Sequence, residues 1–257
     1  MNAPKLRVLE DGTREIERFS PFRRVEHWFA FATFALLILT GFPQKFYDAG
    51  WASALTELFG GLDTMRTFHR VAGIAFSIHA LLHVGAAVVG LLTHKMRWTL
   101  LPLPQDLRDA WQNLRYYLGM APNPPRLPKF DYRQKFEYVG LIMGGVVMIV
   151  TGFFLMYPII VAQLLPGQFI PAARMMHSSE AVLAFLTIAV WHIYGASLAP
   201  EVFPFDKVIL SGYMPVEELR HKHRREYDRL FPEGEQSAAP AGEEGKAEPP
   251  EKGAKAG

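Results

Sequence analysis

Cysteine is absent from all 257 residues. That excludes iron–sulfur clusters, thioether-attached haem and disulfides within the chain. Any redox role must use histidine-ligated metal or a bound organic cofactor, and an iron–sulfur centre must belong to another subunit. A secretory signal is also missing. About 24 polar residues precede the first apolar run, and no small-residue cleavage site follows at Gly41-Phe42-Pro43-Gln44, so the first helix is expected to stay in the mature protein. Charge is scarce in four stretches: Val25–Phe42, Val71–Leu92, Tyr138–Val161 and Met176–Leu198. Each is long enough to cross a hydrocarbon core of ~30 Å as a helix.

The expected fold is therefore all-α: an integral membrane four-helix bundle with short interfacial helices and a disordered C-terminal tail. The net charge of +2 is uninformative, but its distribution is not. Lys5, Arg7, Arg14, Arg18, Arg23 and Arg24 lie in the N-terminal arm. Lys95, Arg97, Arg108, Arg115, Arg126, Lys129, Arg133 and Lys135 fill the loop between the second and third spans. Arg220, Lys222, Arg224, Arg225 and Arg229 follow the fourth span, whereas the other two loops hold only Lys45, Arg66, Arg70 and Arg174. The positive-inside rule places both termini and the long loop in the cytoplasm of a bacterial inner membrane. No nucleic-acid partner is expected.

This divides the chain into an N-terminal arm (1–24), a four-helix membrane domain (25–199), a cytoplasmic C-terminal segment (200–231) and a disordered tail (232–257). The tail is Ala, Gly, Pro, Glu and Lys, too poor in apolar residues to fold. Gly41-Phe42-Pro43 reads as the stop of the first helix. Trp51–Phe59 suits an interfacial helix. In Gln105–Leu118, Leu107, Trp111, Leu114 and Leu118 recur at helical spacing, as in an amphipathic helix lying on the bilayer or against a partner. Pro122, Pro124, Pro125 and Pro128 make the next stretch extended. Pro200–Pro215 reads as irregular and Val216–Leu230 as a charged helix. No internal repeat is evident beyond the two helices with paired histidines.

Those histidines carry the chemistry. His69 and His83 are 14 residues apart on one span, His177 and His192 are 15 apart on another, and His27 opens the first. Fourteen residues of α-helix return a side chain to within roughly 40° of its starting face, about 21 Å along the axis, and fifteen leave it roughly 60° off. Side by side, two such helices offer imidazole pairs near each membrane surface, as two bis-histidine haems require. Small residues one turn on, Gly73 and Ala181, leave room for a flat macrocycle. Arg66, Arg70 and Arg174 at the outer level suit haem propionates. Carboxylates near the histidines are too few for a zinc or di-iron site. The inner level has three candidates, His27, His83 and His192, and spacing alone favours His83 with His192.

Several segments resemble a known family. Arg24-Val25-Glu26-His27-Trp28, Phe68-His69-Arg70-Val71-Ala72-Gly73, Phe130-Asp131-Tyr132-Arg133-Gln134-Lys135 and His192-Ile193-Tyr194 are similar, in order and spacing, to the cytochrome b subunits of membrane-bound formate dehydrogenases. That wider family includes the b-type subunits of nickel–iron hydrogenases and thiosulfate reductases. The resemblance covers about residues 16–230. It implies two b haems, the outer held by His69 and His177 and the inner by His27 and His192, with His83 the alternative ligand; His79 has no counterpart in that family and reads as structural. It further implies electron transfer between the quinone pool (menaquinone or ubiquinone) and a periplasmic catalytic subunit, through an iron–sulfur or multihaem subunit. Asp131, Gln134 and Lys135 would contact quinone; Asp131 could equally be a helix N-cap. Two rivals stand beside this reading: a transporter with histidine relays, which would put polar residues at the midplane, and a haem-free anchor.

Overall fold

The computed structural model describes residues 5–93, 99–200 and 202–232; nearly all of the expected disordered tail lies outside them. Four helices are long and apolar enough to cross a membrane: α1 (Pro21–Lys45), α3 (Leu62–Leu92), α5 (Tyr132–Met156) and the helix Phe169–Leu198. The last comprises α7 (Phe169–Leu186) followed by π-helical turns at Thr187–His192 and Tyr194–Leu198. Short helices α2 (Gly50–Leu58) and α6 (Pro158–Leu164) link the spans at one end, and α4 (Pro104–Tyr117) lies in the long loop at the other. The chain is a multi-pass membrane protein.

Each span starts earlier than its apolar run, and in α1 and α5 capping chemistry, not hydropathy, sets that end. Ser20 accepts from the Arg23 amide at 3.4 Å, with Pro21 at the first helical position. Asp131 accepts from the amides of Arg133 and Gln134, and Gln134 Oε1 accepts from the Asp131 amide, a complete capping box. The expected stop at Gly41-Phe42-Pro43 does not occur. Pro43 is buried inside α1, and the Phe46 amide closes the helix on the Phe42 carbonyl at 2.8 Å. Proline in the last turn removes a single ladder bond, which the end of a helix tolerates better than its middle.

The helix α4 turns the soluble pattern inside out. Its polar face is buried: Lys135 of α5 donates to both Asp106 oxygens at 2.8 and 2.9 Å, Asn113 donates to Tyr132, and Arg225 donates to Asp109 at 2.9 Å. Its apolar face, with Leu107 77% and Trp111 62% exposed, is left outward, as a bilayer surface demands.

The arm 1–24 and the segment 200–231 are not the separate, largely irregular pieces that the sequence suggested. Strands β1 (Leu6–Val8), β2 (Arg14–Glu17) and β3 (Tyr213–Pro215) form one antiparallel sheet, with Ile16 opposite Leu6 on one side and Met214 on the other. Helices α8 (Val208–Ser211), α9 (Val216–Lys222) and α10 (Arg224–Leu230) complete the module, where the expected single charged helix is broken in two at His223. Ile16, Val208, Met214, Leu219 and Phe231 are its core. Arg18, buried, donates to the Lys129 carbonyl and to His223 Nε2, while His223 Nδ1 donates to the Pro128 carbonyl at 2.7 Å. Burial holds His223 down to about 4 and Arg18 down to about 10. Both described chain ends and the long loop thus meet on one side of the bundle. The strands are too short, and their partner too distant in sequence, for a local pattern to reveal them.

The bundle also contains a repeat that the sequence reading missed. A constant interval of 111 residues relates Ser20 to Asp131, Glu26 to Glu137, Thr40-Gly41-Phe42 to Thr151-Gly152-Phe153, and both ends of α1 to those of α5. His69 and His177 occupy matching places on the second helix of each half. The halves pack as α1 with α3 and α5 with α7, leaving two looser seams, α3/α5 and α1/α7.

Candidate haem sites

At the end of the bundle away from the sheet, the ring centres of His69 and His177 are 6.3 Å apart. Each histidine is held by the threonine of its own half. Thr40 Oγ1 lies 2.9 Å from His69 Nδ1 and donates to the Leu36 carbonyl at 2.6 Å; Thr151 Oγ1 lies 3.0 Å from His177 Nδ1 and donates to the Val147 carbonyl at 2.6 Å. A hydroxyl whose proton is committed to a carbonyl accepts from Nδ1–H. That fixes the tautomer and leaves the Nε2 lone pair for another partner. The adjoining glycines make room. A Cβ at Gly41 would stand 2.9 Å from His69 Cε1, and one at Gly152 would stand 3.3 Å from His177 Cε1.

At the end of the bundle nearer the sheet, the structure brings His27 and His192 together, with ring centres 6.0 Å apart. Glu137 Oε1 is 2.6 Å from His192 Nδ1. The π-helical turn at Thr187–His192 absorbs one of the fifteen residues between His177 and His192, so their interval approaches the 14-residue interval of His69 and His83. His83 is placed elsewhere. Its Nε2 is 3.1 Å from the Tyr138 hydroxyl, and its Nδ1 faces Glu26 Oε1 at 3.4 Å. His79 packs between Phe29 and His83.

Both ring separations suit an iron between the imidazoles. Two nitrogens each about 2 Å from a metal, with ring centres about 1.1 Å behind them, place the centres about 6.2 Å apart. A compact metal site fits poorly, since no group of three or more ligating side chains occurs among the described residues. Few side chains in the four spans are buried by protein: only 6% of the most apolar window is buried in α1, α3 and α5, and none in the fourth. A bundle with so little side-chain core is one that a large flat cofactor and lipid can fill.

The family model described as prokaryotic cytochrome b561 matches residues 17–203. The chain belongs to that family. Comparison with curated proteins returns no match. It is a membrane-embedded b-type cytochrome, an electron-transfer protein of a family that binds haem b.

The other expected site residues of the cytochrome fall in distinct settings. Arg66, Arg70 and Arg174 are exposed in the N-terminal turns of α3 and α7, Arg66 within 3.8 Å of Asp63. Lys45, not singled out from sequence, reaches Ser178 beside His177 at 3.2 Å. Asp131 and Gln134 form the cap of α5, Asp131 also taking the Arg133 guanidinium at 2.7 Å, and Lys135 is buried against Asp106. Thr40 and Thr151 went unnoticed in the sequence, and Glu137 was read there only as one of the few carboxylates at helix starts. The twice-occurring Thr-Gly-Phe was the signal that could have found the threonines.

Proposed function

We propose that this cytochrome is the dihaem membrane subunit of a respiratory oxidoreductase, carrying electrons between a partner on the outer side and the quinone pool at the inner side. His69 and His177 hold the outer haem, and His27 and His192 the inner one. The observation that carries this reading is the repeated geometry: two facing imidazole pairs near opposite membrane surfaces, with Nδ1 of His69, His177 and His192 engaged by a neighbouring helix. A b haem held in this way supplies one-electron exchange at its iron. The threonines and Glu137 orient the rings, and the glycines admit them to the helix faces. His83, turned toward Tyr138 and Glu26, has its polar atoms occupied and stands as the alternative inner ligand.

The chain has no cysteine, so the electron-delivering centre belongs to an iron–sulfur or multihaem subunit attached to a periplasmic catalytic subunit of the formate dehydrogenase, hydrogenase or thiosulfate reductase kind. The cytoplasmic side is the one where the sheet, α4 and the basic residues meet. Haem extraction and reduced-minus-oxidised spectra of the purified protein test the proposal: two low-spin b haems per chain are expected, and one or none refutes it. A histidine-relay transporter is less well supported, because the paired histidines sit near the surfaces rather than at the midplane.

A further inference from the structure

The repeat equates His27 with Tyr138 by the same interval of 111 residues that relates Glu26 to Glu137, and it equates His83 with His192 once the extra residue of the π-helical turn is allowed for. The seam α1/α7 carries His27 and His192. Its counterpart, the seam α3/α5, carries His83 and Tyr138 at the same depth. The two second-helix histidines are even supported alike, His83 by Glu26 and His192 by Glu137. One difference separates the seams. Tyr138 replaces a ligand, and its hydroxyl stands 3.1 Å from His83 Nε2, closer than the roughly 4 Å that two ligands of one iron would keep.

We propose that the seam α3/α5 binds the head group of a quinone, with Tyr138 and His83 as its hydrogen-bonding residues. This rests on the quinone reading above and names its site. His83 and Tyr138 are polar groups on two membrane-spanning helices, joined at the end of α1 by Arg23 and Glu26, and such a grouping is costly unless it serves a ligand or a path. Arg23 Nη1 donates to Glu26 at 2.6 Å and lies 3.5 Å from His83 Nδ1, so this side of the imidazole is satisfied by protein. With Nδ1–H toward Glu26, Nε2 accepts from the Tyr138 hydroxyl. Rotation of that hydroxyl presents the same proton to a quinone carbonyl. The His83 side chain is 24% exposed, so the seam is open to a lipid-borne ligand, and His79 and Phe29 supply flat surfaces beside it. The place is also next to the inner pair: Glu26 adjoins His27, and Tyr138 adjoins Glu137, which touches His192. A quinone there would be within a side chain's reach of the inner haem site.

The test uses the full-length, haem-loaded protein with Tyr138→Phe and His83→Gln. The reduced protein is mixed with decylubiquinone or 2,3-dimethyl-1,4-naphthoquinone, and reoxidation of the b bands is followed against quinone concentration. An azidoquinone photolabel is mapped in parallel. Wild type should react, both variants should keep two low-spin haems, and the half-saturating quinone concentration should rise about tenfold, as expected for one lost hydrogen bond. The label should attach to peptides of α3 or α5. Variants with wild-type half-saturation, or a label confined to other helices, overturn the site while leaving quinone as the substrate. Loss of a haem in His83→Gln overturns it by making His83 a ligand. Failure of wild type to react with either quinone refutes the quinone reading itself.

Discussion

Replacing Gly41 by alanine should disturb the outer haem more than the same change at Gly152, although the two glycines hold equivalent places. The new methyl at Gly41 would lie 2.9 Å from His69 Cε1, whereas at Gly152 the distance to His177 Cε1 is 3.3 Å. Carbon atoms rest at about 3.5–4.0 Å, so the His69 ring must retreat by about 0.6 Å or more and the His177 ring by about 0.2 Å or more. Metal–nitrogen bonds tolerate only about 0.2 Å, and Thr40 pins the far nitrogen of His69 at 2.9 Å. The ring cannot recede without giving up either iron or threonine. Gly41→Ala should therefore convert the outer haem to high spin or lower its occupancy, and Gly152→Ala should leave it low spin with a shifted potential. Alanine favours a helix over glycine by about 1 kcal/mol, so polypeptide stability should not fall in step with haem loss. Haem per chain, the low-spin absorption bands and thermal unfolding measured together separate the two effects. Gly41→Ala with two low-spin haems and an unchanged midpoint potential would show that His69 is not seated against that glycine in the loaded protein.

Further outcomes follow from the same geometry. His69→Ala or His177→Ala should reduce extracted haem from about two to about one per chain, since either ligand alone leaves a bis-imidazole iron incomplete; an unchanged haem count in either would remove that histidine from the ligand set. His27→Ala should lose the inner haem and His83→Ala should keep it, and the reverse result would make His83 the ligand. Asp106→Ala should destabilise the protein by about 3–5 kcal/mol because it strands Lys135 in a buried site, and adding Lys135→Met should recover much of that loss in thermal unfolding. The module of the sheet and helices α8 to α10 should weaken in acid. Burial holds His223 at about 4 against an ordinary value near 6.5, so its neutral form stabilises the module fully above pH ~6.5. As pH falls from there towards 4 the unfolded chain takes up a proton that the folded one refuses, costing on the order of 3 kcal/mol. Hydrogen exchange in β2 and β3 should report this, and a His223→Gln protein with the same acid dependence would assign it to other groups.

The four spans were legible in the sequence because lipid allows no substitute for about 20 apolar residues in a row, a requirement visible in any window. The depths of the histidines followed from helix rise alone, and so did the outer pairing of His69 with His177. Choosing among His27, His83 and His192 did not. Spacing favoured His83 and the family resemblance pointed to His27; the packing of α1 against α7, with a π-helical turn that no hydropathy pattern announces, sets His27 opposite His192. Thr40, Thr151 and Glu137 look like ordinary polar residues near helix ends until the neighbouring helix brings an imidazole nitrogen to them. The sheet joining residues 6–17 to 213–215 was likewise invisible, because its strands are three or four residues long and β2 finds β3 only across nearly the whole chain. Composition and period report what each segment must bury or span. Which side chains then meet is a property of the packing between segments, and in this cytochrome the candidate ligands, their supports and the His83–Tyr138 seam all lie at such meetings.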